Sequence, residues 1–196
     1  MPDKQGTDRG RHPLTRRAIL EAGISLADRE GLAAVTMRRL GSELGVEAMA
    51  LYRHVTNKQD VLDGMAALLV ADMTPVVVSD RAPWQEVLRE LSWQYRRVIT
   101  QHPAVFTGQA QRPIVLGEDH SAIDRVLSVL QAAGFTRELA LDLYLVGSSF
   151  ARGFALSEMG QGLGAHQLPA DVDQDRAFSR GLDVIIAGFE DLRATP

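Results

Sequence analysis

Gly45 separates two short segments whose apolar residues keep helical spacing, and that arrangement leaves few folds open. Before it, Thr36 leads into Met37, Leu40 and Leu44 on one face; after it, Glu47–Val55 predicts a second short helix. Two such helices joined by a tight glycine turn form a helix-turn-helix, whose second helix is placed to enter a major groove. Spacing alone fits any small helical hairpin equally well.

The rest of the chain has the same periodicity. A helix is predicted from Leu14 to Arg29, with Thr15 as N-cap and Gly31 as its stop. Asn57 caps a fourth helix through Val61, Leu62, Met65, Leu68 and Leu69, with Asp60 completing a weak capping box. Residues 73–83, with Pro75 and Pro83, read as a connection. Trp84–Gln101 is a long helix with apolar residues on more than one face, ended by His102-Pro103. Residues 118–132 form another helix, closed by Gly134. Thr136 caps a long apolar helix to Glu158. Met159–Asp173 is glycine-rich loop, and the last helix covers Asp175–Leu192. No segment reads as a strand and no repeat is present. The predicted class is all-α, with a basic arm at 1–13, a three-helix unit at 14–62 and a larger helical domain at 63–196.

The net charge of -4 argues against general nucleic-acid binding, but residues 1–17 hold five basic and two acidic side chains. A basic leading arm on an acidic chain points one end towards an anionic partner. No apolar run approaches the roughly 20 residues of a membrane helix, and the first residues carry no apolar signal region. Without cysteine there are no disulfides or thiolate metal sites, which fits a cytoplasmic protein.

The literal residues carry more than the spacing. Gly31-Leu32, Thr36-Met37-Arg38-Arg39-Leu40, Leu44-Gly45-Val46, Leu51-Tyr52-Arg53-His54-Val55, Asn57-Lys58 and Val61-Leu62 resemble the N-terminal domain of the TetR family of transcriptional regulators. The resemblance implies a repressor that binds a palindromic operator in double-stranded DNA as a homodimer and is released by a small-molecule effector. It places Thr36, Met37 and Arg38 against the DNA from the start of the second helix. Ala48, Met49 and Ala50 would face base edges, Tyr52 and His54 would lie near the backbone, and Lys58 would anchor a phosphate. Lys58 has a reason of its own: a cation opposes the dipole at a helix N-terminus, unless a phosphate docks there. Glu47 departs from the small capping residue usual in the family. Ala48 and Ala50 lack the hydrogen-bonding groups of the tetracycline repressors, so the operator does not carry over.

Arg112-Pro113, Gly134-Phe135-Thr136, Ala140, Val146-Gly147, Gly153 and the stretch Gly181–Glu190 look like the C-terminal domain of tetracycline repressors. That subtype holds a drug–magnesium chelate through a histidine and a glutamate, whose positions here align with Gly108 and Ser157. Its entrance histidine aligns with Thr74 and its asparagine with Leu91. The expected effector is therefore apolar or aromatic, with no metal and no cofactor, and candidate lining residues are Thr74, Leu91, Tyr95, Phe106, Arg112, Pro113 and Phe150. Phe178, Leu182, Ile185, Phe189 and Leu192 step by four and three, a seam that wants a facing helix. With the small residues of the helix before it, this predicts a two-fold four-helix interface using Ser148, Arg152, Phe178, Leu182, Ile185 and Phe189.

Enzymatic readings fare poorly. The five histidines lack metal-ligand spacing, Gly147-Ser148-Ser149 is not a nucleophile elbow, and Gly160–Gly164 lacks the strand and lysine of a phosphate loop. A DNA-binding or scaffolding dimer with no effector is the other reading.

Overall fold

A computed structural model describes residues 13–73, 82–108, 121–160 and 171–194, and every regular element among them is a helix. The helices begin where the sequence supplies caps. In α1 (Arg16–Glu30) the Thr15 hydroxyl accepts from the Ala18 N–H at 3.1 Å, and Gly31 ends the helix at φ 83°. A 3₁₀ turn, Leu32–Ala34, leads to α2 (Met37–Leu44), where Thr36 accepts from the Arg39 N–H. Gly45 closes α2 in the left-handed region. Its N–H returns to the Ser42 carbonyl while that of Val46 returns to Gly41, satisfying two end carbonyls in a Schellman turn.

The regular part of α3 is only Ala48–Leu51, shorter than the predicted Glu47–Val55. Beyond it the chain tightens: Arg53 and His54 bond to the carbonyls of Ala50 and Leu51, three residues back, and Val55 turns into the core. α4 (Lys58–Met73) starts with Asn57 Oδ1 accepting from the Asp60 N–H. The Asp60 carboxylate reaches back to the Thr56 N–H at 2.7 Å, one residue earlier than a standard capping box.

α5 (Trp84–Gln101) ends at His102, and the six-residue α6 (Pro103–Gly108) follows, unexpected from the sequence. α7 (Ser121–Ala132), α8 (Arg137–Glu158) and α9 (Gln174–Ala194) complete the described residues. α5 runs along α8, and α8 also packs on α7 and α9. By length and composition alone α8 could cross a membrane. Its apolar residues instead serve these three neighbours and the exposed stripe described below.

Ile19, Leu26, Val35, Leu40, Leu51, Val55, Val61 and Met65 form the N-terminal core. The same cluster includes Ile99, Val105 and Phe106 of α5–α6 and Ala155 and Leu156 of α8. The predicted boundary at 62–63 thus falls inside α4, and the two halves share a core. His102 Nδ1 lies 2.8 Å from Asp28 Oδ2, tying the end of α5 to α1. A second cluster gathers Trp84, Leu88, Val126, Leu130, Phe135, Leu143, Ile186 and Phe189.

A third joins α5, α8 and α9 around Arg96. The Arg96 guanidinium lies 4.9–5.3 Å from the ring centres of Trp93, Phe154 and Phe178. It grips Glu158 with two 2.9 Å hydrogen bonds, and its Nη1 makes a 2.7 Å ion pair with Asp175 that lacks hydrogen-bond alignment. Burial opposes the Arg96 charge, yet the two carboxylates outweigh it and hold the group above its ordinary range.

Candidate nucleic-acid interface and effector cavity

Charge pairing divides the cations of the N-terminal unit. Arg16 is bonded to Asp60, Arg17 to Glu21 and Asp72, Arg29 to Glu43, and Arg39 to Glu30 and Glu43. Arg38, Arg53 and Lys58 are exposed and meet no carboxylate among the described residues. They belong to the first turn of α2, the turn after α3 and the start of α4, the elements that surround the predicted recognition helix. Between them Met49 is 75% exposed and Tyr52 is exposed. An unpaired cation keeps its charge available to a phosphate; a paired one has already spent it.

Not every predicted DNA contact lies on that surface. Met37 packs against the N-terminal core, so its side chain points away from the exposed face. The Thr36 hydroxyl is engaged as the α2 cap. Ala48 and Ala50 are half-buried, leaving Met49 the most exposed of the three. His54 is half-buried, and its carbonyl accepts from Arg16. Sequence reasoning did not single out Arg53 or Gly41. A Cβ at Gly41 would sit 2.8 Å from the Val46 carbonyl oxygen and 3.1 Å from the Ala48 nitrogen, so this glycine sets how closely α3 lies on α2. Its spacing from Gly45 was the available signal.

A cavity of about 260 Å³ opens between α5, α7 and α8, roofed by Val70 and Met73 of α4. From α5 it takes Leu88, Leu91, Ser92 and Tyr95, and from α8 Tyr144, Gly147, Ser148 and Ala151, each set spaced along one helix face. The helices meet closely at Gly147, where a Cβ would lie 3.1 Å from Leu88 Cδ1. Burial pushes the Tyr95 phenol up to about 12 and raises that of Tyr144, so both stay protonated.

Leu91 and Tyr95 line this cavity, as the sequence predicts, but Phe106 and Phe150 do not. Phe106 is buried in the N-terminal core with its ring edge-on to Tyr95, and Phe150 stacks on Phe178 on the far side of α8. Thr74, Arg112 and Pro113 lie outside the described residues. Gly108 packs so tightly that a Cβ would clash with Leu32, and Ser157 is exposed at the end of α8.

Much of the predicted dimer seam is covered within the chain. Phe178 and Leu182 are fully buried within one chain, Phe189 nearly so, and Ile185 leans on the second core cluster. Ser148 turns into the cavity wall, and Arg152 is half-buried with its charge felt at Tyr95. The seam's spacing marks a face that other helices of the same chain cover from Phe178 to Phe189, but its last residue, Leu192, is exposed. What remains open is a stripe of Leu145, Val146 and Gly153 on α8, with Val184, Gly188 and Leu192 on α9.

Residues 19–65 match the family model "Bacterial regulatory proteins, tetR family", and residues 79–171 match "Tetracyclin repressor-like, C-terminal domain". An HTH-type transcriptional regulator of Saccharopolyspora erythraea is 29% identical over 96% of this chain and 89% of its own. The class C tetracycline repressor protein of Escherichia coli is 28% identical over 93% of each chain. The crystal structure of the Streptomyces coelicolor TetR family protein ActR in complex with actinorhodin superposes with a TM-score of 0.74. That match has 26% identity and covers 93% of this chain and all of that one.

Proposed function

This chain belongs to the TetR family of bacterial regulatory proteins and is a helix-turn-helix transcriptional regulator; we propose that as a dimeric repressor it leaves a palindromic operator when a small molecule fills the cavity between α5, α7 and α8. The observation that carries the DNA side is the split among cations. Arg38, Arg53 and Lys58 meet no carboxylate among the described residues around α3, while their neighbours are neutralised by carboxylates. Arg38 is the reader and Lys58 the phosphate anchor. Met49 offers apolar contact to thymine methyl groups, which discriminates less sharply than a bidentate pair.

Release follows from α5. This helix lines the cavity through Leu88–Tyr95, and its far end reaches the DNA-binding unit through Ile99 in the shared core and through His102 on Asp28. A ligand that reseats α5 biases the distance between the two recognition helices, which must be near one helical turn, roughly 34–36 Å, to fit successive major grooves. The effector is compact and apolar or aromatic, the chemistry the cavity wall favours; among relatives, ActR is solved in complex with actinorhodin. In this role the protein works in the cytoplasm, where the DNA is, and performs no catalysis.

The test is selection of binding sites from random DNA, followed by a screen for compounds that release the selected duplex. A palindromic consensus whose complex is dissolved by a cavity ligand is the expected result. A ligand bound in the cavity with operator affinity unchanged would overturn the release mechanism.

A further inference from the structure

The chemistry of the cavity wall narrows what it can hold, and the inference rests on the cavity being the effector's seat. Among the described residues, no ionised side chain lines it. Its polar groups are the hydroxyls of Ser92, Tyr95, Tyr144 and Ser148 and the indole N–H of Trp84. The Ser148 hydroxyl is already spent on the Leu145 carbonyl of its own helix. Those of Tyr95 and Tyr144 meet no hydrogen-bond partner among the described residues, although the two residues line the cavity from opposite helices. The Trp84 N–H is likewise buried without an acceptor.

Buried polar groups in native structures are nearly always paired, so the Trp84 N–H lacks a complement, and the two phenol hydroxyls are donors left over for whatever fills the cavity. The geometry points to a ligand that supplies it: an un-ionised, largely apolar ring compound whose oxygen atoms accept from the Tyr95 and Tyr144 hydroxyls. An ionised ligand would shed its water with no counter-charge among the described wall residues, so this wall disfavours it. Arg152, whose charge is felt at Tyr95, is not in the wall. Because burial keeps both phenols protonated, they remain donors throughout the physiological range. A volume of about 260 Å³ lies just below the range usual for drug-sized ligands, which selects a compact frame of two or three rings.

Xanthone, xanthene and xanthone-2-carboxylate share one such frame and differ in the acceptor and the charge. Calorimetric titration of the full chain should show xanthone binding several-fold more tightly than xanthene and at least tenfold more tightly than the carboxylate. The double variant Tyr95→Phe, Tyr144→Phe keeps both rings and so keeps the cavity's shape. It should bind xanthene unchanged and lose the preference for xanthone. A preference that survives in the double variant overturns the assignment to the two hydroxyls. Carboxylate binding as tight as xanthone overturns the selection for a neutral ligand. If none of the three binds the wild type, the reading of the cavity as the effector's seat fails instead.

Discussion

Asp60 joins three segments through one carboxylate. It accepts from Arg16 of α1 at 2.5 and 3.0 Å, and from the Thr56 N–H ahead of α4. The Arg16 hydrogen bond, assisted by Thr56, holds its carboxyl down to about 2. Unfolded, an aspartate titrates near 4. The stabilisation is therefore complete above that value and is lost as pH falls through the folded value near 2. Arg16 is half in solvent, so the screened contribution is about 1–2 kcal/mol. Urea titrations of Asp60→Asn should show that deficit at pH 7, shrinking between about pH 4 and 2; a deficit unchanged over that window would mean the ion pair is not its source. Among the cations, Lys58 was legible in the sequence because its place at a helix start demands an explanation. Arg53 was not, since every arginine looks alike until its carboxylates are located. Lys58→Ala and Arg53→Ala should each flatten the salt dependence of operator binding by about one unit, whereas Arg38→Ala should relax one base preference per half-site. Binding-site selection with all three variants at several salt concentrations checks this, and a changed consensus from Lys58→Ala would reverse the roles of anchor and reader.

At the scale of elements, the turn between α2 and α3 uses two glycines for different reasons. Gly45 is left-handed with open space around it, so Gly45→Ala should cost only the backbone penalty of about 1–2 kcal/mol. Gly41 has ordinary backbone angles but no room, and the atoms a Cβ would meet belong to backbone that cannot swing aside. Gly41→Ala should therefore displace α3 and weaken operator binding more than Gly45→Ala does at equal stability. Urea unfolding alongside DNA affinity separates the two effects; equal losses of affinity would sink the distinction. Helix starts were readable because Thr15, Thr36, Asn57 and Thr136 announce them chemically. The extent of α3 and the existence of α6 were not, because four and six residues are too few to display a period.

For the whole molecule, the sequence marked α9 as a helix with a buried seam but not whose side chains bury it. Periodicity records that a face avoids water and is silent about chain identity. In the proposed dimer, the exposed residues Val184, Gly188 and Leu192 of α9 and Leu145, Val146 and Gly153 of α8 are the surface left for a second subunit. Val184 is 72% exposed in one chain, so Val184→Asp should leave the monomer folded while burying an unpaired charge in the dimer. Sedimentation should show monomers with unchanged helical content and no operator binding; a dimer of wild-type stability would place the interface elsewhere. Arg96 has a further consequence. By holding Glu158 and Asp175 together it fixes both ends of the segment that joins α8 to α9, so the chain between them closes a loop whose ends are already pinned. Loop entropy grows only logarithmically, about 0.6 kcal/mol for each doubling of length. Lengthening that stretch should therefore cost little as long as Arg96 and its two carboxylates stay.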